Sequence, residues 1–236
     1  MQSKIHWPRA LTNKIRVLLD DFLPPAVRDS KAVMSVLFWI AFGPRAKTFM
    51  SVKAKAYRMT QKEYADLYRE PSPFDVKRKT GLNEKSIEKI LEHCAGAKVL
   101  EAGSGKGYLT ELLNKDRRVI ATDLALSNRT KASPFFVSNL ENLPVKSASF
   151  DTVVCTHTLE HLRNLHQAYF ELKRVASERL IIVVPMQREY KYTFDLHLHF
   201  FPYPHSFQNY LGSFERDADC FECDGDLVYI EYVKKR

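Results

Sequence analysis

Apolar residues recur at Leu11, Ile15, Leu18, Leu19 and Phe22, the spacing of a helix with one greasy face, and Leu23-Pro24-Pro25 ends it. Residues 30–42 then place Val33, Met34, Val36, Leu37, Phe38, Trp39, Ile40 and Phe42 in a helix with almost no polar face, stopped by Gly43-Pro44. That pattern predicts a helix buried against the rest of the fold; the alternatives are an element dipping into a membrane surface and the wall of a greasy pocket. At about 13 residues it is too short to cross a bilayer, which takes about 20. Thr60-Gln61-Lys62-Glu63 has the form of a capping box, opening a helix through Tyr64 and Leu67 that Glu70-Pro71-Ser72-Pro73 ends. Residues 74–81 read as a mobile loop, and Asn83 caps a helix through Ile87, Ile90 and Leu91.

From residue 99 the period changes. Short apolar runs at 99–102, 119–122, 150–155 and 179–185 read as buried strands, with a helical pattern over 165–175 between the last two. Residues 220–223 and 226–233 read as two strands joined by Asp224-Gly225, a sequence suited to a tight hairpin. Strands alternating with helices predict an α/β sheet, mostly parallel, with an antiparallel hairpin at its C-terminal end.

The first two strands enclose the most informative segment. Val99-Leu100-Glu101-Ala102 runs into Gly103-Ser104-Gly105-Lys106-Gly107, a helix follows, and the next strand ends at Asp123, 20 residues after Gly103. This is the spacing of a nucleotide-binding βαβ unit and predicts an adenosine-containing cofactor. Glycines let the backbone approach a ligand and adopt positive φ, and a carboxylate at Asp123 can accept both ribose hydroxyls. A dinucleotide fingerprint spaces its glycines G-x-G-x-x-G, unlike this turn. Glu101, just before the first glycine, would repel a pyrophosphate but suits a ligand bearing an ammonium group.

Two further segments complete the pattern: Ser138-Asn139-Leu140-Glu141-Asn142-Leu143-Pro144-Val145, and Ser149-Phe150-Asp151-Thr152-Val153 leading to His157-Thr158-Leu159-Glu160-His161-Leu162. Together they resemble the class I S-adenosylmethionine (SAM)-dependent methyltransferases, in particular the subgroup containing the ubiquinone and menaquinone biosynthesis enzymes, over roughly residues 83–190. The resemblance implies a Rossmann-like doubly wound sheet over residues 83–236, with residues 1–82 as a basic helical extension or lid. It implies SAM as cofactor. Carried over, Glu101, Gly103, Ser104 and Gly105 line the methionine end, Asp123 holds the ribose, and Leu124 packs on the adenine. Asn139, where the family usually has Asp, and Leu140 lie near the adenine amino group, and His157 sits beside the methionine and the reacting centre.

Composition narrows the surroundings. Residues 1–98 hold 19 Lys and Arg against 10 Asp and Glu, a balance of +9, and the remainder holds 17 against 18, a balance of −1. The N-terminal excess reads as a solvated helical face or as attraction to anionic lipid, a phosphorylated substrate or nucleic acid. No apolar leader opens the chain, so a cytoplasmic location, with membrane association as an addition, is expected. Cys94, Cys155, Cys220 and Cys223 form no disulfide framework, and Cys220-x-x-Cys223 lacks the two further ligands of a zinc site. No metal is expected.

Methyl transfer to an alcohol, phenol or amine needs a base near neutral pH, and histidine suits that task. One candidate group is His157 with His161. The other lies after the fifth strand, where an extended run would put Asp195, His197 and His199 on one face, as a base with its orienter, a metal-holding face or a structural loop. Phe194, Phe200, Phe201 and Tyr203 around it suggest the wall of an acceptor pocket. The expected activity is methyl transfer from SAM to a small-molecule, sugar or lipid-linked acceptor on oxygen. The alternatives are an RNA methyltransferase using the basic N-terminal region and a non-catalytic SAM-fold scaffold.

Overall fold

The structure is a computed structural model that describes residues 22–69, 79–125, 133–212 and 217–233. The helix expected over 11–22 lies outside them except for its last residue, as does most of the loop expected over 74–81. The chain forms two compact units, one of residues 1–78 with 188–200 and one of residues 79–187 with 201–236.

The first unit is helical. Its elements are α1 (Pro25–Arg28), α2 (Lys31–Phe42), α3 (Ala46–Lys55) and α4 (Gln61–Arg69). Gly43 ends α2 by taking φ +54°, a conformation that costs a larger residue. Met34, Phe38 and Phe42, four residues apart on one face of α2, pack with Phe49 and Val52 of α3. The Phe42 and Phe49 rings stack at 4.2 Å. The opposite face of α2 is exposed at Val33, Val36, Trp39 and Ile40, so the helix is one-sided and not buried all round as its composition predicts. Thr60 and Glu63 form the expected capping box: the Thr60 N–H donates to Glu63 Oε2 (2.7 Å) and the Glu63 N–H to Thr60 Oγ1 (3.2 Å).

Residues 188–200 complete this unit and correct the extended run expected there. Leu196 has φ +58°, which breaks the alternation that would have aligned Asp195, His197 and His199. Leu196 joins the α2–α3 core, and Leu198 packs with Ala56 and Tyr64. Phe194 stacks on Phe38 at 4.3 Å instead of facing a pocket. Arg28 Nη2 donates to the Glu189 carbonyl (2.9 Å), and Lys53 Nζ donates to Glu189 Oε1 (2.7 Å) and the Tyr190 carbonyl (2.8 Å).

The second unit is a seven-stranded sheet. In chain order it contains α5 (Glu84–His93), β1 (Lys98–Ala102), α6 (Tyr108–Leu113), β2 (Arg118–Asp123), β3 (Phe135–Val137), β4 (Phe150–Thr156), α7 (Leu165–Val175), β5 (Ala176–Pro185), α8 (Pro204–Leu211), β6 (Ala218–Cys223) and β7 (Asp226–Tyr232). The strand order is β3-β2-β1-β4-β5-β7-β6. The pairs from β3 to β5 are parallel, and β7 runs antiparallel to both β5 and β6. The expected doubly wound α/β architecture with a C-terminal hairpin is therefore present.

The near-continuous apolar runs follow from burial on both sheet faces. Leu100, Val153, Leu180 and Ile182 pack with Leu165, Tyr169 and Leu172 of α7. Val99, Val154, Ile181 and Val183 pack with Ile90 of α5 and Leu109 and Leu113 of α6. Asp224 (φ +51°) and Gly225 (φ +87°) make the hairpin turn. Buried Glu231 on β7 accepts the hydroxyls of Tyr169 (2.6 Å) and Tyr229 (3.0 Å) and the ammonium of Lys173 (2.5 Å). Burial and the Glu231 carboxylate together push the Tyr169 hydroxyl far above its ordinary pKa.

The chain leaves this unit after Gln187 and returns at Phe201, and the two ends lie together: the Gln187 N–H donates to the Phe201 carbonyl (3.1 Å). Phe201 is buried against Phe207 of α8, with ring centroids 4.6 Å apart, so it serves the sheet core and not a pocket wall. Among the described residues no helix is long and apolar enough to cross a membrane.

Candidate active site at the strand ends

The register of the parallel strands brings the site residues together. Ala102, the last residue of β1, lies opposite Thr122 of β2 and Cys155 of β4, so the turns after all three strands open at one edge. The order of the strands reverses between β1 and β4, the place where open α/β sheets bind ligands.

The glycine turn is pinned to β2. The Gly103 and Ser104 N–H groups both donate to the Thr122 carbonyl, at 2.9 and 3.1 Å. Gly103 has φ +75°, and a Cβ there would stand 2.1 Å from Thr158 Oγ1, so only glycine fits. Gly105 has φ +50° with open space where a Cβ would stand, and its N–H donates to Asp123 Oδ2 (2.8 Å). Asp123 Oδ1 accepts the Leu124 N–H (2.7 Å). The turn thus holds its backbone beside a carboxylate that is only half-buried and points from the end of β2. Ser104 is buried in the turn.

Glu101 is buried within β1, and the Thr110 hydroxyl on α6 donates to its Oε2. Thr110 is a partner that spacing alone does not announce, since it reads as an ordinary helix residue. Asn139 and Leu140 follow β3 close to Asp123, whose carbonyl accepts the Ser138 N–H (2.9 Å). Asn139 Oδ1 accepts the Glu141 N–H (3.0 Å). The segment beyond is clamped by an Arg174–Glu171 fork. Arg174 Nε and Nη2 meet the two Glu171 oxygens at 2.7 Å each, and Nη1 reaches the Val145 carbonyl at 2.7 Å. The guanidinium holds the Glu171 carboxyl below the usual carboxylate range.

His157 follows β4 in the left-handed region, φ +46°, with its N–H on the Val183 carbonyl at 2.8 Å. Its Nε2 lies 3.0 Å from Oδ1 of buried Asp226, the first residue of β7. The other oxygen, Oδ2, accepts Asn83 Nδ2 and Ser86 Oγ, each at 2.9 Å. Asp226 therefore joins α5, β4 and the hairpin, a role hidden in the sequence because the residue sits beside a turn and its histidine partner lies 69 positions away. The Nδ1 edge of His157 faces Gly81, where a Cβ would approach to 3.1 Å.

His161 ends a short 3-10 turn, Leu159–His161, and its Nε2 stands 3.8 Å from Oε1 of buried Glu160. His157 and His161 belong to the sheet unit, and His197 and His199 to the helical unit. Cys155 is fully buried, and burial pushes its thiol far above its ordinary pKa, which removes it as a nucleophile. Burial likewise pushes the Cys220 thiol up to about 12.

A doubly wound sheet in this order, with a glycine turn and a strand-end carboxylate at its switch point, is the architecture of the class I SAM-dependent methyltransferases. Residues 100–183 match the model of the Methyltransf_11 family, described as a methyltransferase domain. Over 100 residues the chain is 36% identical to a probable S-adenosylmethionine-dependent methyltransferase of Mycolicibacterium smegmatis, a match spanning 39% of each protein. The fold is similar to that of a SAM-dependent methyltransferase from Aquifex aeolicus, with TM-score 0.54 and 17% identity over 74% of this chain and 99% of that one. A SAM-dependent methyltransferase from Thermotoga maritima is similar at TM-score 0.54 and 12% identity, over 78% and 98%.

Proposed function

We propose that this chain transfers a methyl group from SAM to an oxygen of a small-molecule, sugar or lipid-linked acceptor. The observation that supports it best is the glycine turn kept open at Gly105 beside the Asp123 carboxylate, with buried Glu101 behind it. These groups fit the cofactor's chemistry. Asp123 would accept the ribose hydroxyls, Gly103, Ser104, Gly105 and Glu101 would line the methionine end, and Leu124, Asn139 and Leu140 would enclose the adenine. Bound there, SAM supplies a methyl group already activated by the positive sulfonium.

The chain then has to align the acceptor oxygen in line with the breaking carbon–sulfur bond and take up its proton. His157 is the first proton acceptor by this reading. Its Nε2–H would donate to the Asp226 carboxylate, which would orient the ring and stabilise the imidazolium once the proton arrives. His161, His197 and His199 are the competing candidates, each separable by single substitution to Gln. The excess positive charge of the N-terminal region supports RNA as the competing acceptor.

Calorimetry of SAM and its demethylated product with wild type and Asp123→Ala tests the cofactor site. Micromolar binding to the wild type, weakened about 10- to 100-fold by losing charge-assisted hydrogen bonds, is expected. Labelled methyl donor offered to phenols, glycans, lipids and RNA then identifies the acceptor. A folded wild type that binds neither compound overturns the proposal and leaves the scaffold reading.

A further inference from the structure

From the helical unit we infer a docking face for anionic lipid bilayers, built on the outer side of α2. Trp39 is 68% exposed, Val36 60%, Ile40 54% and Val33 38%, on the side of the helix opposite Met34, Phe38 and Phe42. Positions 33, 36 and 40 make one stripe along the helix, and Trp39 widens it. Exposed apolar side chains scattered singly are ordinary, but four on one helix face that includes a tryptophan are a contact surface.

Charge selects the occupant. Between Asp29 and Glu63 the chain carries Lys31, Arg45, Lys47, Lys53, Lys55, Arg58 and Lys62 and no acidic residue. Lys31 opens α2, while Arg45 and Lys47 follow directly after its C-terminal end, so cations bracket the stripe at both ends. Three acids of this unit have partners away from that stripe: Asp29 accepts the Lys191 N–H, Glu63 serves the capping box, and Glu189 pairs with Lys53. A second copy on the same face would bring the cations of the acid-free stretch 30–62 against their own counterparts, which opposes a two-fold contact. RNA would satisfy the cations and leave Trp39 and Ile40 without a use. A bilayer carrying anionic lipid satisfies both sets, since acyl chains take the apolar stripe and phosphates the cations.

The helix geometry agrees. Twelve residues rise about 18 Å against a hydrocarbon core of about 30 Å, so α2 lies in the interface plane and does not span it. An apolar contact plus a basic segment is the pair of signals that reversible membrane binding needs. The inference stands on the helical unit alone. Joined to methyl transfer it selects the lipid-linked acceptor among those proposed, and that step alone rests on the methyl-transfer reading, which SAM binding tests separately.

The test uses the full chain with Trp7→Phe, leaving Trp39 as the sole tryptophan. Flotation and Trp39 emission are followed with vesicles of phosphatidylcholine and with vesicles carrying about 30% phosphatidylglycerol. Flotation with the anionic vesicles only, a blue-shifted Trp39, and release as salt rises from about 0.1 to 1 M are expected. Val36→Ser with Ile40→Ser should weaken partitioning about tenfold or more, and so should Lys47→Glu with Lys55→Glu. All four positions are exposed, so the variants should keep the wild-type circular dichroism and SAM affinity. No flotation, or flotation indifferent to the serine pair, overturns the inference. So does a blue shift that grows with protein concentration without vesicles, which would make the face a subunit contact. Wild-type SAM binding beside failed flotation removes the bilayer and keeps the proposed activity.

Discussion

Asp226 shows how much one carboxylate can decide. It is buried, a position that costs several kcal/mol unless its oxygens are hydrogen-bonded, and both are: Oδ2 takes Asn83 and Ser86, Oδ1 takes His157. Asp226→Asn tests this division. The amide oxygen will stay with the two donors at the Oδ2 side, which turns the NH2 group toward His157 Nε2. That nitrogen must then accept, so the ring proton moves to Nδ1, and the charge that would stabilise the imidazolium is lost. The expected result is a switch of the His157 tautomer in its nitrogen-15 shifts, a fall in methyl transfer of about 10²–10⁴-fold, and unchanged SAM affinity. Asp226→Ala is the poorer variant, because it strands all three partners, Asn83, Ser86 and His157, at about 1–3 kcal/mol each and confuses stability with function. A switched tautomer with undiminished turnover would remove His157 from proton transfer.

The segment 188–200 carries the same lesson at the scale of an element. Its alternating histidines resemble a strand, but Leu196 takes φ +58°, about 1–2 kcal/mol unfavourable for an L residue, and only a buried side chain explains its tolerance. Leu196 sits with Met34, Phe38 and Phe49 in the core of the helical unit. Leu196→Ala should therefore cost about 2–4 kcal/mol in that unit, read by urea unfolding through the fluorescence of Trp39, which belongs to it. A cost below about 0.5 kcal/mol would mean that the segment is a surface loop. Local signals were readable wherever the physics is local: the Thr60–Glu63 box, the Asn83 cap, the Asp224-Gly225 turn and the glycines after β1 all appear where their chemistry put them. Tertiary choices were not. Nothing in the composition of α2 says which of its two apolar faces meets α3, and nothing near Asp226 points to a histidine 69 positions away.

At the scale of the whole molecule, charge and cofactor chemistry fall on different parts of the chain. The excess of +9 lies within residues 1–98, and all but Lys79, Lys85, Lys89 and Lys98 of its cations belong to the helical unit, whereas the proposed SAM site lies wholly in the sheet unit. Solution conditions should therefore act on the two proposed activities separately. SAM at about 100 times its dissociation constant stabilises whatever binds it by about 2.7 kcal/mol, which for a unit of this size raises the calorimetric midpoint by about 5–10 °C. The shift should vanish in Asp123→Ala. It should also survive a rise in salt from about 0.1 to 1 M, which shortens the screening length from about 10 to 3 Å, because the groups proposed to hold the cofactor act by hydrogen bonds at contact distance. Vesicle flotation over the same range should collapse, since it depends on exposed cations meeting a charged surface. Calorimetry and flotation on one preparation at both salt concentrations make the comparison. Loss of the SAM shift at high salt would mean that the basic helical unit takes part in holding the cofactor, and the separation of roles between the two units would fall.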